Sequence, residues 1–142
     1  MKVFKFIPPY KPNGKTNLPE AVNRSGVYLI KKDGKLVYVG YSESNLYKTI
    51  LRHFQTWNDK QSPERLSYKN QMNRAKFTVR VVFTTPKRAA ALEKALILKY
   101  NPKDNFLKYE NYVKQATKTE RDYINSIEQI YEFAPVLNEA PF

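Results

Sequence analysis

Residues 26–42 read GVYLIKKDGKLVYVGYS, two runs of β-branched and aromatic residues separated by Lys32-Asp33-Gly34. That pattern specifies a β-hairpin. Its loop length decides what the hairpin presents, because side chains alternate between the faces of a sheet. A two-residue Asp33-Gly34 turn would pair Tyr28 with Val39 and send Tyr28 and Tyr38 to opposite faces. A three-residue loop, with Gly34 left-handed and a bulge, would instead pair Tyr28 with Tyr38 and Ile30 with Leu36. The opposite face would then be wholly aliphatic, made of Val27, Leu29, Val37 and Val39. This second register sorts the side chains cleanly and is the expected one. It sets two phenols side by side at a mouth left open by Gly26 and Gly40.

Outward from the hairpin, residues 1–20 contain a strand-like run (Val3 to Ile7) followed by Pro8, Pro9, Pro12 and Pro19, which reads as an extended lead-in. Ser42-Glu43-Ser44-Asn45 supplies helix-start residues, and a helix is expected from about Leu46 to Trp57 with Leu46, Ile50, Phe54 and Trp57 inward. Residues 58–75 are polar, basic and weakly periodic, and read as a loop with one helical turn. Lys76 to Thr84 alternates as a third strand, with Lys76, Thr78 and Arg80 outward. Pro86 opens a helix that runs to Tyr100, where Asn101-Pro102 ends it. Helical pattern returns at Tyr109–Val113 and Glu120–Phe133. The expected fold class is α+β: a small, three-stranded, mainly antiparallel sheet flanked by helices, within a single domain spanning residues 1–142.

The chain carries 25 Lys and Arg against 13 Asp and Glu, a formal net charge of +12. Such a surplus attracts polyanions through phosphate contacts and counterion release, so nucleic acid is the expected partner. Lys48, Lys60, Arg65, Lys69, Arg74, Lys76, Arg80, Lys87 and Arg88, interleaved with Trp57 and Tyr68, suit a surface that follows a phosphate backbone. The absence of cysteine fits a reducing, cytoplasmic setting. No long apolar run marks a signal peptide or a membrane span.

Gly26-Val27-Tyr28 followed by Tyr38-Val39-Gly40 resembles the signature of the GIY-YIG nuclease family. Arg52-His53-Phe54, Glu93 and Asn105 extend the likeness across residues 26–105. The resemblance implies the same α+β architecture, an endonuclease acting on DNA phosphodiesters, and a divalent cation, Mg²⁺ or Mn²⁺. It also implies a targeting element, supplied here by the basic loop, by dimerisation or by a partner protein.

On the residues themselves, Glu93 sits among Ala89, Ala90, Leu96 and Ile97 at helical spacing, and a carboxylate in an aliphatic stripe demands compensation. An ion pair or a metal would provide it, and the resemblance implies the metal. One carboxylate suits Mg²⁺, which keeps most of its waters and accepts a phosphate oxygen. Tyr28 is the candidate proton acceptor, needing nearby positive charge because a phenol titrates near ~10. Tyr38 is its partner. The resemblance places His53 at the site, bonded to Tyr28 or to the phosphate, and gives Asn105 a loop-holding or phosphate-binding part. It also implies an arginine where this chain has Thr49. Arg52, one turn further on, is the expected substitute, with Lys48 beside it. A lysine carried by some relatives after the second glycine is replaced by Tyr41. The runner-up is a module that binds nucleic acid without cutting it.

Overall fold

The computed structural model describes residues 2–3, 5–55 and 67–115. Four strands, β1 (Lys2–Val3), β2 (Gly26–Lys32), β3 (Lys35–Ser42) and β4 (Phe77–Phe83), form one antiparallel sheet in the order β1-β4-β2-β3. Three of them are the strands expected from the sequence. The lead-in adds the short fourth one on the β4 edge, Lys2 opposite Phe83, and a further bridge joins Ile7 to Val79. Helices α1 (Leu46–Arg52), α2 (Pro86–Tyr100) and α3 (Phe106–Gln115) complete the described fold.

The hairpin corrects the expected register. Asp33 and Gly34 both have positive φ (51° and 82°), so the loop has two residues and Lys32 pairs with Lys35. Such a primed turn matches the twist of the flanking strands. A bulge then falls at Val37, because Lys31 pairs with Leu36 while Ile30 pairs with Tyr38. Tyr28 therefore lies opposite Gly40, and the tyrosines are diagonal neighbours on one face. The bulge restores the side-chain sorting that a plain two-residue turn would have lost. Val37 joins the Tyr28 and Ile30 side instead of the aliphatic face, and Leu36 changes sides with it.

The two faces make two cores. Val27, Leu29, Val39 and Val82 pack under Ala89, Leu92, Leu96 and Ile97 of α2. Tyr28, Ile30, Val79 and Val81 pack under Leu46, Ile50, Phe54 and Tyr68. Helix α1 starts where the sequence places it, since the Asn45 side chain accepts the Lys48 N–H at 3.2 Å. It ends at Arg52, earlier than expected, and Trp57 lies outside the described residues, as does the 120–133 helix. Helix α2 keeps its expected bounds. The Thr85 hydroxyl caps it at the Arg88 N–H, Pro86 occupies its first turn, and Asn101 closes it in the left-handed conformation (φ 43°). Pro102 turns the chain through Lys103–Asn105 onto the β3 edge, and α3 returns beside α2.

Candidate active site

A groove of about 760 Å³ opens at the β3 edge, lined among others by Tyr28, Tyr38, Arg52, His53, Asp104 and Lys108. Tyr28 is fully buried at 2% exposure, and its hydroxyl lies 2.7 Å from His53 Nε2. The ring of His53 packs on Tyr38, with centroids 4.6 Å apart, and Tyr38 lies 6.0 Å from Tyr28. His53 reaches this position because α1 ends just before it: its backbone N–H caps Ile50, and its carbonyl accepts the Tyr68 N–H at 2.6 Å.

Gly40 makes the arrangement possible. A Cβ there would run into the Tyr28 hydroxyl and ring, so the phenol lies across bare backbone. Gly26 does a different job from the one expected. A side chain at that position would meet the Val82 carbonyl, so this glycine serves the packing of β2 on β4.

Burial, above all, pushes the Tyr28 phenol well above its usual range, and Tyr38 and the charge of Glu93 push the same way. Tyr38 is raised too. Burial lifts it, Lys108 pulls against that, and Glu93 adds to it. The hydrogen-bonding group against the Tyr28 hydroxyl is His53.

Glu93, which is not exposed at all, is close enough to raise both phenols electrostatically. Its Oε1 accepts from the Tyr112 hydroxyl at 2.6 Å and its Oε2 from Lys108 Nζ at 3.1 Å. A single hard carboxylate suits Mg²⁺ or Mn²⁺, and Glu93, which does not itself line the groove, already holds one cation, the ammonium of Lys108. The residues thus fit such an ion once that ammonium has moved.

Asn105 is buried and holds the edge strand: Oδ1 accepts the Val39 N–H at 2.7 Å and Nδ2 donates to the Val39 carbonyl at 3.0 Å. Thr49 and Tyr41 line the groove, as Arg52 does. Lys48 is exposed and does not line it. Lys69 and Arg74 are exposed near the Lys69–Gln71 turn, Arg74 donating to the Asn70 carbonyl, while Arg65 lies outside the described residues. Arg80 corrects its expected outward position. It pairs with Leu29, so it belongs to the face opposite the phenols, where it lies 6.0 Å from the Phe6 ring.

Lys108, Tyr112 and Asp104 had not been singled out. Asp104, a carboxylate that lines the groove, accepts the Tyr68 hydroxyl at 2.7 Å. Lys108 and Tyr112 are one turn apart, the i, i+4 spacing that puts two side chains on one helix face. That spacing was the available signal, but nothing local tied it to Glu93.

Paired strand phenols, a histidine against both and a buried helical carboxylate are what this hairpin-based fold brings together. The GIY-YIG catalytic domain profile matches residues 24–105, and the chain belongs to that family. It is also 32% identical over 114 residues to the UvrABC system protein C of Fusobacterium nucleatum subsp. nucleatum. The match covers 80% of this chain and 18% of that relative, so the chain spans less than a fifth of its length. No solved structure gave a significant match.

Proposed function

We propose that this protein is an endonuclease that hydrolyses DNA phosphodiester bonds with Mg²⁺ or Mn²⁺, acting in the cytoplasm. The observation that carries this reading is the 2.7 Å contact between the Tyr28 hydroxyl and His53 Nε2 at the floor of the groove. With Nε2 unprotonated, Tyr28 donates to it and keeps a lone pair for an incoming water. As that water attacks phosphorus, its proton goes to Tyr28 while the phenol proton moves to His53, so no free phenolate is needed. The new P–O bond forms as the bond to the leaving oxygen breaks, and solvent protonates that oxygen. Arg52, which lines the same groove, would offset charge on the phosphate. A cation bound at Glu93 would supply positive charge to phosphate oxygens. The surplus of +12 supports a polyanionic substrate, and the exposed Lys48, Lys69 and Arg74 would follow its backbone.

The test is nicking of supercoiled plasmid with and without Mg²⁺. Tyr28→Phe should slow it by a factor on the order of 10² or more, as loss of a proton-transfer group does. Nicking at the wild-type rate in Tyr28→Phe would remove the mechanism. A second reading, a nucleic-acid-binding module without cleavage, is favoured by the occupied oxygens of Glu93. It predicts no nicking under any metal, with DNA affinity that falls steeply as salt rises.

A further inference from the structure

Glu93 is the least exposed charged group in the described structure, yet its carboxylate is already complete. Tyr112 holds one oxygen and Lys108 the other. A buried carboxylate needs compensation, and here one ammonium and one phenol donor provide it. A divalent cation cannot share that oxygen with an ammonium 3.1 Å away, because the two charges would repel in a poorly hydrated place. One of them must leave.

Lys108 is the group built to leave. Its side chain is 44% exposed and lines the groove, so it can swing outward without moving α3. Tyr112 is tied to the same carboxylate, but a phenol can stay on one oxygen while a cation takes the other. Lys108 also acts on Tyr38 electrostatically, and both line the groove. An ammonium turned outward from this position would enter the groove that Tyr28, Tyr38 and Arg52 share.

We propose that Lys108 is an internal counter-cation that competes with a divalent metal for Glu93, and that metal entry turns its ammonium into the groove to meet the substrate phosphate. This rests on the metal-dependent reading above. Lys108 is thus a positioning residue in the free protein, holding the Glu93 carboxylate in place, and a phosphate contact once the metal is bound.

Mn²⁺ binding, followed by the electron paramagnetic resonance of the free ion, tests it without any cleavage. Lys108→Met should bind Mn²⁺ on the order of tenfold more tightly than wild type, within the usual range of coupling between linked sites. Adding Glu93→Gln should abolish the gain. Lys108→Arg, which keeps a cation within reach, should retain the weaker wild-type affinity. If Lys108→Met does not fold, the wild-type protein still decides the matter. Acylation of Lys108 by an amine-selective ester, read by mass spectrometry, should rise as Mn²⁺ saturates the site. Equal or weaker Mn²⁺ binding by folded Lys108→Met, or Lys108 labelling indifferent to Mn²⁺, overturns the competition. Where Glu93-dependent Mn²⁺ binding survives in wild type, the metal reading survives that failure. If no variant binds Mn²⁺, both fall together.

Discussion

Gly40 owes its place to the ring laid across it. A methyl group there would strike the Tyr28 hydroxyl and ring carbons, and Tyr28 has no room to retreat because it is buried between β3, β4 and α1. Overpacking of this kind costs about 1–3 kcal/mol. The displaced hydroxyl would also lose its 2.7 Å contact with His53. Gly40→Ala should therefore stay folded with a lowered melting temperature, while plasmid nicking falls much further than the stability loss explains. Normal nicking in a folded Gly40→Ala protein would mean that the Tyr28–His53 contact is not used. Tyr28→Phe makes the complementary change. It leaves the packing intact and removes the hydroxyl's hydrogen bond to His53 Nε2, a loss of about 0.5–1.5 kcal/mol. Both variants should thus melt below wild type, Tyr28→Phe by the smaller margin.

At the scale of elements, β3 is an edge strand that a side chain completes. Asn105 bonds both the N–H and the carbonyl of Val39, filling the places a neighbouring strand would take. Asn105→Ala would leave both groups short of partners, and about 1–3 kcal/mol each is the usual cost when water cannot replace them. The expected outcome is a lower melting temperature together with fast hydrogen exchange at the Val39 amide. Exchange as slow as in wild type would show that the strand does not depend on Asn105. These elements also show what could be read in the sequence. Helix α2 was legible end to end because Thr85-Pro86 and Asn101-Pro102 are local signals. The hairpin was legible as two strands and in most of its facing, but not in its register, and Val37 and Leu36 exchange faces. Alternation says which residues share a face, while the bulge at Val37 depends on how β3 meets α2 and the Lys103–Asn105 turn. Helix α1 was expected to run on through Trp57 because its apolar stripe continues past Arg52. The carbonyl of His53 instead pairs with Tyr68, a contact invisible to periodicity. For the candidate site, Tyr28, Tyr38, His53 and Glu93 could be named in advance. The partners of Glu93 could not, since Lys108 and Tyr112 reach it only after the chain has turned at Asn101 and Pro102.

Across the whole molecule, the core beneath α1 depends on uncharged phenols. Tyr28 and Tyr68 are buried to 2% and 1% exposure, and burial is the chief reason that both are pushed up from the ordinary phenol value of 10.0. The folded chain therefore keeps protons that the unfolded chain releases above about pH 10. Because the unfolded state then binds fewer protons, stability falls as pH rises, by up to ~1.4 kcal/mol per pH unit for each such group. Lys108 acts in the same direction. Burial alone would lower it, but the charge and hydrogen bond of Glu93, together with Tyr38 and Tyr41, outweigh that and raise it from 10.5. Its contribution is fully present below 10.5 and is lost as pH climbs through the folded value. Full stability should thus persist from neutral pH to about pH 10 and then collapse cooperatively. Phenolate absorbance and circular dichroism, recorded together during an alkaline titration, give the check. Exposed tyrosines should ionise first with the fold intact, and the rest should ionise only as the dichroism is lost. Tyr68→Phe removes one of the two most buried phenols and should make the decline above pH 10 shallower. Ionisation of all 11 tyrosines in one smooth step near pH 10, with the dichroism unchanged, would contradict the burial of this floor beneath the groove.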